Sequence, residues 1–504
     1  MKILSTEQIR LLDQKTIENQ YISSFKLMER VATRLFEAIS NRHKLYHSSF
    51  VIFCGKGNNG GDGLALAQLL KEAGAFVKVY LLQSKKYSSD NLRNQELLED
   101  RGIKVEKFNP EKFSFSIKPD DILIDALIGT GLREVLPSEW GEVMDWLNQV
   151  ECKDRLAIDV PSGMFVDGPT PVGAPVFKVS KVYAIHAPKI AMLLPDSAKY
   201  MDDFEVVSID LDKVAVEEFE SNYQYVLANI VRPFIHKPTK YAHKGTFGRA
   251  LIIGGSHGMM GAAVLASRAC MRIGAGLTTA YVPSCGYSIM QTANPEVMCM
   301  VGSSDEYLVT FPIVEKYQAI GVGIGLGTAK ATQVAFANFV RENTNHLMVY
   351  DADALTLLSM DKRLLEHLGK GSILTPHPKE LERLIGTWET DFEKLTLCCA
   401  FAQKYQVVLV VKGAHTAVVW PCGKIHFNST GNWGMATAGA GDVLTGILTG
   451  LLAQGYTSEQ ASLLGVYLHG LAGDCAVKLM YKVNLIASDL IDNLTNAYVS
   501  LLNE

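Results

Sequence analysis

The sequence lacks the features that mark membrane, secreted and nucleic-acid-binding proteins. It contains no apolar run of about 18 residues, so no membrane span is predicted. Its nine cysteines are scattered without a C-x-x-C pair, which disfavours a cysteine zinc site or a disulfide framework and suits a reducing cytosol. Its net charge is −5, with no dense Lys/Arg run. We therefore expect a cytoplasmic protein that binds small molecules and neither nucleic acid nor a membrane.

The chain is also without a secretory signal at its N-terminus. The first residues have no apolar h-region, and Ile9, Leu12 and Ile17 instead have the spacing of an amphipathic helix. At 504 residues the chain is too long for one hydrophobic core. Its hydrophobic share of 48% and charged share of 20% are typical of a globular enzyme.

Strand-like and helix-like segments alternate along the chain, which predicts parallel sheets with helices on both faces. The pattern loosens over residues 211–245, and we place a domain boundary near Ser221 to Asn229. Two glycine-rich α/β domains in tandem are the simplest architecture. The predicted strands are 51–54, 77–82, 122–127, 156–160, 181–185 and 204–209 in the first domain, and 250–253, 321–327, 348–351, 372–374, 407–411 and 416–420 in the second.

A glycine-rich loop follows the first predicted strand. Gly55, Gly57 and Gly60 satisfy G-x-G-x-x-G, a pattern typical of dinucleotide binding at a helix N-terminus. No acidic residue ends the next strand to hold a ribose; the lysines of Gln83–Lys86 fit either a 2′-phosphate or a solvated surface. Asp62 repels phosphate at this position unless a cation or a reacting group needs it. The Asn and Asp oxygens favour either a bound metal ion or simple loop capping.

Three aspartates lie at or near the ends of separate predicted strands. They are Asp62, Asp125 and Asp159, each beside glycine or serine. A single aspartate at such a place is often a turn cap, but ligands of parallel sheets bind at the carboxyl ends of the strands. The three together favour a functional site over three coincidental caps.

A second constellation is Gly439, Ala440, Gly441 and Asp442, which open a helix-like segment. Small residues there let backbone N–H groups converge on an anion. Asp442 is then placed to take a proton from a hydroxyl that attacks phosphorus, an effect worth about 10²- to 10⁴-fold in rate. The alternative is that Asp442 caps the helix and the glycines permit close packing.

The neighbouring motifs favour nucleotide chemistry. Lys412–Thr416 follows an apolar strand as a nucleotide-contacting turn would, and His377 lies in the rigid segment Thr375–Pro378. Asp351 and Asp353 end a further strand, where either residue is equally suited to cap the next helix. No G-x-x-x-x-G-K-[ST] pattern exists, so the chemistry is not of the P-loop kind.

Taken together, these motifs resemble one known family. KGNNGGDG, LIDALIGTGL and DVPSGM resemble the YjeF N-terminal domain. GGSHGMMGAA, GIGLG, DADAL, TPHPKELERL, KGAHT and GAGDVLTG resemble the ribokinase-like dehydratase domain that follows it in bifunctional NAD(P)H-hydrate repair enzymes. The resemblance covers essentially the whole chain in the same order. It implies an α/β protein with two tandem domains: a Rossmann-like parallel-sheet α/β/α domain over 1–222 and a ribokinase-like α/β domain over 223–504.

The resemblance implies that the first domain interconverts the R and S hydrates of NADH and NADPH. Asp159 would be its acid/base, and Asn59, Asp125 and Ser162 would bind K⁺, which neutralises carboxylates and lets a pyrophosphate approach. The hydrated dinucleotide would be held by Asp159 together with Asn58, Asn59, Gly60, Gly61, Asp62, Gly129, Thr130, Gly131, Leu132, Arg133, Glu134 and Val135.

The second domain would dehydrate the S hydrate while ADP is cleaved to AMP and phosphate, with Mg²⁺ as the accompanying metal. Asp442 would deprotonate the hydroxyl of the hydrate. The choice of ADP over ATP rests on analogy with the fused enzymes, and Ile324 departs from the proline often found there in relatives. ADP would be contacted by Lys412, Gly413, Ala414, His415, Thr416, Gly439, Ala440 and Gly441, and the hydrate pocket would be lined by Ala262, Gly325, Gly327, His377 and Asp442.

Two other functions fit parts of the sequence. A kinase for a vitamin-like alcohol would use the GAGD loop equally well, but it has no evident use for the first domain. Alternatively, the first domain is a non-catalytic binding module or scaffold, against which the joint presence of Asn59, Asp62, Asp125 and Asp159 argues. We also expect a homo-oligomer.

Overall fold

The computed structural model describes residues 1–478 and 481–503, and the chain divides into two compact units. The N-terminal unit comprises Lys2–Tyr223 with Thr390–Phe392, and the C-terminal unit comprises Met1, Gln224–Glu389 and the chain from Glu393 onward. Each unit contains one largely parallel sheet with helices, which confirms the predicted α/β class. Within the described residues, every helix is too short or too polar to cross a membrane.

The N-terminal unit has a seven-stranded sheet with the order β3-β2-β1-β4-β5-β6-β7, and all its strand pairs are parallel. Its strands are β1 (Ser49–Cys54), β2 (Phe76–Leu82), β3 (Val105–Phe108), β4 (Asp121–Ala126), β5 (Asp154–Ile158), β6 (Val179–Ile185) and β7 (Met201–Val207). Its helices are α1 (Thr6–Asn19), α2 (Ser24–Arg42), α3 (Asn58–Glu72), α4 (Ser89–Asp100), α5 (Glu139–Gln149) and α6 (Lys213–Glu218), with 3₁₀ helices at Ile190–Leu193 and Pro195–Ser197.

The central strands of this sheet are apolar on both faces, as buried parallel strands should be. Residues 50–54 of β1 are fully buried, with Ile52 in the cluster that also contains Leu35 and Leu66, and Phe53 in the cluster that contains Trp140. The helices therefore cover the sheet from both sides. The strand order reverses between β1 and β4, because β2 and β3 lie on one side of β1 while β5, β6 and β7 lie on the other side of β4. A crevice therefore forms at the carboxyl ends of β1 and β4.

The glycine-rich loop lets α3 start very close to the sheet. A Cβ at Gly60 would lie 2.0 Å from the carbonyl oxygen of Gly55, and one at Gly63 would lie 2.6 Å from Cβ of Ala126. Only glycine fits such contacts without moving the backbone. Part of this motif is therefore explained by packing between the helix and the strands.

The C-terminal sheet has ten strands in the order β11-β10-β9-β12-β13-β14-β15-β16-β17-β8. The strands are β8 (Tyr223–Val226), β9 (Arg249–Ile253), β10 (Leu277–Val282), β11 (Met298–Val301), β12 (Ala319–Val322), β13 (Met348–Tyr350), β14 (Ile373–Leu374), β15 (Val408–Val411), β16 (Ala417–Val419) and β17 (Ile425–Asn428). Pairs from β11 to β15 are parallel, and β15-β16-β17 are antiparallel.

Helices cover this second sheet in the same way. They are α7 (Ala228–Val231), α8 (Met260–Arg272), α9 (Gly286–Ala293), α10 (Lys330–Glu342), α11 (Asp353–Met360), α12 (Pro378–Ile385), α13 (Asp391–Tyr405), α14 (Ala440–Ala453), α15 (Ser458–Ala476), α16 (Ala487–Asp492) and α17 (Leu494–Asn503). Short 3₁₀ helices span Arg232–Phe234, Lys362–His367, Trp433–Met435 and Lys482–Asn484. The nearly uncharged helix α14 is buried along its length from Val443 onward and packs in the main core of this unit.

One strand prediction in the second half is wrong in its extent. A strand was expected over 321–327, but β12 ends at Val322, and Gly323, Gly325 and Gly327 all have positive φ values. Positive φ is the conformation that glycine adopts at little cost, so the apolar run continues as a tight loop. The strands β3, β8, β10, β11 and β17 had not been predicted.

Candidate active sites

A cavity of about 800 Å³ lies at the carboxyl ends of β1, β4, β5 and β6 in the N-terminal unit. Residues that follow these strands form its polar wall, and apolar side chains of α1 and α2, such as Ile9 and Leu27, form the other part of its lining. A partly apolar cleft with a few converging polar groups is typical of small-molecule sites. Its place beside β1 and β4 is where open parallel sheets bind ligands.

Asp159 is held in this cavity by Lys189. Asp159 directly follows β5 and has a φ of +68°, an unusual conformation for a residue other than glycine. Nζ of Lys189 donates to Oδ1 of Asp159 at 2.5 Å and to the carbonyls of Ile185 and Ala187 at 2.9 and 3.1 Å. The lysine side chain is only 3% exposed. The buried salt bridge therefore fixes the orientation of the carboxylate and neutralises its charge.

Three further aspartates, Asp13, Asp62 and Asp90, line the cavity. Burial, reinforced by repulsion from Asp159, raises the pKa of Asp13 to about 7, although Lys189 acts in the opposite direction. Burial, followed by repulsion from Asp159, Asp13 and Asp90, raises the pKa of Asp62 well above its ordinary range. Carboxylates that crowd one buried site cannot all carry a charge. The cavity therefore holds carboxylic acids beside the Asp159–Lys189 pair near neutral pH.

Asp125, Ser162 and Asn59 form an oxygen-rich cluster beside the cavity. Asp125 accepts hydrogen bonds from the Ser162 hydroxyl and backbone N–H, both at 2.6 Å, and from the Leu127 N–H at 3.1 Å. With its amide oxygen toward Gly129, Asn59 accepts from that N–H at 3.3 Å and donates to the Ile158 carbonyl. Burial raises the pKa of Asp125 to about 6, although the Ser162 hydrogen bonds oppose the shift.

The donor set of this cluster suits a hard monovalent cation. Carboxylate, hydroxyl and amide oxygens are the ligands that such ions prefer. Among residues 1–478 and 481–503, no lysine or arginine pairs with Asp125, and no group of three or more His, Cys, Asp or Glu side chains has the arrangement of a metal centre. The residues named for K⁺ therefore fit that ion by their chemistry.

Most residues predicted to hold the dinucleotide do line the cavity. These are Asn58, Asn59, Asp62, Asp159 and the loop Gly129–Val135. Gly60 and Gly61 lie outside the lining, since Gly60 packs on Gly55 and Gly61 packs on Met28. Asp125 and Ser162 are fully buried and also lie outside it. Two of the three predicted metal ligands are thus placed behind the predicted substrate contacts, and the third, Asn59, is itself part of the cavity wall.

Asp13 and Lys189 belong to the cavity but are not among the predicted site residues. Asp13 lies in α1, far in the sequence from any predicted strand, and Lys189 lies in the loop after β6. A signal for Asp13 did exist, because Ile9, Asp13 and Ile17 recur at four-residue spacing and so share one helix face. A carboxylate within an otherwise apolar stripe indicates a buried functional group.

The second site centres on Asp351, which directly follows β13. Its carboxylate accepts from Nζ of Lys412 at 2.8 Å and from the hydroxyl of Thr445 at 2.7 Å. Burial acts to raise the pKa of Asp351, but Lys412 and these hydrogen bonds outweigh it, so the pKa lies below its ordinary value. This aspartate is therefore a charged anchor for Lys412 rather than a proton acceptor.

Asp442 is in a different state. It lies in the first turn of α14, whose N-cap Gly439 has a φ of +87° and makes no side-chain cap hydrogen bond. Burial, followed by repulsion from Asp351, raises the pKa of Asp442 to about 6, while Lys412 opposes the shift. The helix N-terminus thus presents backbone N–H groups beside a carboxylate that can take up a proton near neutral pH.

The residues predicted for the hydrate pocket lie in two places. A Cβ at Gly325 would lie 3.1 Å from Cβ of Ala262, and the Gly327 N–H donates to Asp353 at 2.7 Å. His377 instead caps α12, with Nδ1 accepting from the Lys379 N–H at 3.2 Å. Burial, followed by Lys412, lowers the pKa of His377. A neutral imidazole thus lies within the electrostatic reach of Lys412.

The segment Lys412–Thr416 is the turn between β15 and β16. The Lys412 N–H donates to the Pro376 carbonyl at 3.1 Å, which joins this turn to the segment containing His377. Gly413 and Ala414 are exposed, and the Thr416 hydroxyl donates to the Gly413 carbonyl at 3.2 Å. Nζ of Lys412 would lie 3.4 Å from a Cβ at Gly441, so the turn and the start of α14 do meet at this site.

Two family models match the chain. The model described as YjeF-related protein N-terminus matches residues 24–190, and the one described as NAD(P)H-hydrate dehydratase matches residues 250–496. A bifunctional NAD(P)H-hydrate repair enzyme of Moorella thermoacetica is 33% identical, with 98% of this chain and 96% of the relative covered. Those of Coxiella burnetii and Escherichia coli are 32% and 30% identical, covering 98% and 97% of this chain and 98% and 92% of the relatives.

Solved structures match the C-terminal unit. The ADP/ATP-dependent NAD(P)H-hydrate dehydratase of Bacillus subtilis, co-crystallised with ATP and Mg²⁺, is 30% identical with a TM-score of 0.50. The match covers 55% of this chain and 98% of that one. A ribokinase-like superfamily protein of Enterococcus faecalis is 27% identical with a TM-score of 0.50, covering 56% and 98%. The predicted ribokinase-like fold of the second half is confirmed.

Proposed function

This chain belongs to the family of bifunctional NAD(P)H-hydrate repair enzymes, as the motifs indicated, and from that premise we propose how its two units divide the work. The chain is an enzyme that repairs hydrated NADH and NADPH. Residues 1–222 interconvert the R and S hydrates, and residues 223–504 dehydrate the S hydrate at the expense of a nucleotide. The observation that carries this division is that each unit has its own carboxylate site at the strand ends of its own sheet.

In the N-terminal unit, Asp159 is the acid/base at the carbon being inverted. Its salt bridge with Lys189 keeps one carboxylate oriented in a cavity large enough for a nicotinamide nucleotide. Asn58, Asn59, Asp62 and the loop Gly129–Val135 hold the substrate. Gly60 and Gly61 contribute through packing at the start of α3, because Gly60 lies against the backbone of Gly55 and Gly61 against Met28 of α2.

We assign K⁺ to the cluster of Asn59, Asp125 and Ser162. When bound, the ion neutralises negative charge near the strand ends and so favours the approach of a pyrophosphate. Ser162 and the backbone N–H groups around Asp125 orient its carboxylate whatever ion is present. This role also explains why Asp125 is buried behind the cavity wall.

In the C-terminal unit, Asp442 takes the proton of the hydrate hydroxyl as that oxygen attacks the terminal phosphate of ADP. The N–H groups of residues 439–441 hold the phosphoryl group, and Lys412, fixed by Asp351, supplies positive charge. AMP leaves, and elimination of phosphate then restores the nicotinamide ring. Ala262, Gly325, Gly327 and His377 line the hydrate pocket, and Gly413–Thr416 contact the nucleotide. Mg²⁺ accompanies the nucleotide, as in the Bacillus subtilis crystals.

A coupled assay tests the whole proposal. The protein is incubated with a mixture of R and S NADPH hydrate, Mg²⁺ and ADP, and the absorbance of the reduced nicotinamide is followed. Full conversion of both hydrates is expected, with AMP and phosphate as products. Recovery of only the S half contradicts an active N-terminal site and favours its role as a binding module. No recovery, with phosphorylation of a pyridine or pyrimidine methanol instead, favours the vitamin kinase.

Two expectations of the sequence belong to this proposal as well. All nine cysteines are free, which suits the reducing cytoplasm in which NADH and NADPH are used. The ligands are small molecules, and a homo-oligomer remains the expected assembly. Size-exclusion chromatography with light scattering measures that assembly directly.

A further inference from the structure

Asp13 occupies a position in the N-terminal cavity that no substrate-holding role explains. It is the one acidic residue of α1 that lines the cavity, and its helix neighbours Ile9 and Ile17 are apolar lining residues. Asp159 and Lys189, which come from the strand ends of the sheet, are its dominant charged neighbours. A carboxylate kept in an apolar helix stripe costs free energy, so it is expected only where it acts.

The reaction proposed for this cavity needs two groups with different protonation. Water added to reduced nicotinamide beside the ring nitrogen gives a carbon that bears both a hydroxyl and that nitrogen. Inverting this carbon requires one of its bonds to break and to form again from the other face. A base that takes the hydroxyl proton and an acid that protonates the ring nitrogen together allow the C–N bond to open.

We propose that Asp13 is a second catalytic residue of the epimerase site, the acid that protonates the ring nitrogen while Asp159 takes the hydroxyl proton. The C–N electrons go to nitrogen, the oxygen electrons form a carbonyl, and the carbonyl carbon rotates. Nitrogen then attacks the other face, its proton returns to Asp13, and Asp159 returns the other proton to oxygen. No proton, water or co-reactant is consumed, so both epimers use the same two groups in the same roles.

The charges of the cavity support this assignment. Lys189 is bonded to Asp159 and not to Asp13, which suits Asp159 to be the base. Burial and the proximity of Asp159 raise the pKa of Asp13 to about 7, so much of Asp13 carries a proton at neutral pH. The other titratable and charged groups of the cavity lining are Arg10, Lys56, Asp62, Asp90, Arg133, Glu134 and His186. Asp62 is the more deeply buried acid and lies on α3, next to the substrate-holding asparagines.

This inference rests on the proposed epimerase activity, and the test separates the two. The full chain, Asp13→Asn and Asp13→Glu are compared for conversion of R to S hydrate. Glu7→Gln, the same carboxyl-to-amide substitution at an exposed site of α1, is the matched control. If the unmodified chain does not epimerise, the proposed function fails; if it does and Asp13→Asn equals it, only this inference fails.

We expect Asp13→Asn to lower kcat about 100-fold or more with KM nearly unchanged, and Asp13→Glu to restore part of the rate. The acid must be protonated, so the rate of the unmodified chain should fall as the pH rises through about 7, and this fall should be absent in Asp13→Asn. An unchanged pH profile in Asp13→Asn overturns the proposal. Thermal unfolding and near-UV circular dichroism check that each variant is folded.

Labelled water provides a readout that does not depend on any variant. Opening of the C–N bond keeps the original hydroxyl oxygen, so little ¹⁸O from H₂¹⁸O should enter the S hydrate during one enzymatic inversion. Incorporation of one ¹⁸O per inversion would show that water leaves and returns. That outcome overturns the assignment of Asp13 to the ring nitrogen.

Discussion

In the N-terminal unit, Asp13, Asp62, Asp90 and Asp159 line one cavity, and Lys189 pairs with Asp159. In the C-terminal unit, by contrast, Lys412 and Thr445 bind Asp351 rather than Asp442. Both sites lie at strand ends of a parallel sheet. In the first, burial and crowding raise the pKa of Asp13 and Asp62, which suits them to moving protons within one substrate. The second adds a helix N-terminus and an oriented lysine, as transferring a phosphoryl group requires. The two sites thus differ in which aspartate their lysine binds: Lys189 binds the proposed acid/base Asp159, whereas Lys412 binds Asp351 and not the proposed base Asp442.

The largest expected effect separates the two sites outright. Asp442→Ala should lower dehydration of the S hydrate about 10⁴-fold, because Asp351 is held by Lys412 and cannot replace the missing base. Epimerisation should be unchanged. The readouts are nicotinamide absorbance and separation of R from S hydrate, with Asp492→Asn, a surface change in the same unit, as control. Loss of both activities in a folded protein would contradict two independent sites.

The reverse experiment should give a smaller loss. Asp159→Ala should lower epimerisation about 10³-fold while dehydration of supplied S hydrate continues, since Asp62 and Asp13 retain some acid–base capacity in the cavity. Chromatography of the two hydrates measures this rate, and Asp145→Asn, an exposed change on α5, is the control. A loss equal to that of Asp442→Ala would mean that the neighbouring carboxylates contribute nothing.

The third prediction concerns the lysine of the C-terminal site. Lys412→Met should destabilise this unit by about 3 kcal/mol at pH 7, because it leaves Asp351 buried and unpaired. The folded pKa of Asp351 is depressed, so its contribution is present above the unfolded pKa and is lost as the pH falls through the folded pKa. The difference in the free energy of unfolding between Lys412→Met and the unmodified chain should therefore become smaller at acidic pH. Urea unfolding at several pH values measures this difference, and Lys370→Met, at an exposed lysine, is the control. If the loss of stability in Lys412→Met did not depend on pH, the ion pair with Asp351 would not be its cause.

The carboxylates of both sites could largely be predicted from the sequence. Parallel strands end at one edge of a sheet, so Asp125, Asp159 and Asp351 could be grouped from their position after apolar runs. Asp13 and Thr445 could not be assigned to their sites in this way, because each reaches its site from a helix through long-range packing. The spacing of Ile9, Asp13 and Ile17 places Asp13 on a buried helix face but does not say which site it faces. Thr445 bonds to a residue 94 positions away. The strands that escaped prediction include Val105–Phe108 and Met298–Val301, short edge strands whose partial exposure weakens the apolar pattern.

The smallest expected effects concern glycines of α14 and α8. They test whether close packing between these two helices stabilises the C-terminal unit. A Cβ at Gly446 of α14 would lie 2.1 Å from the backbone oxygen of Ala266 in α8, so Gly446→Ala should cost about 2 kcal/mol. At Gly261 of α8 a Cβ meets nothing within 4 Å, so Gly261→Ala should stabilise by about 0.5 kcal/mol. Thermal and urea unfolding measure both. If the two substitutions changed the free energy of unfolding equally, helix propensity rather than the close approach of α14 to α8 would decide the stability of this unit. The similar close contact of Gly63 in α3 with Ala126 would then give no reason to expect a loss of stability there.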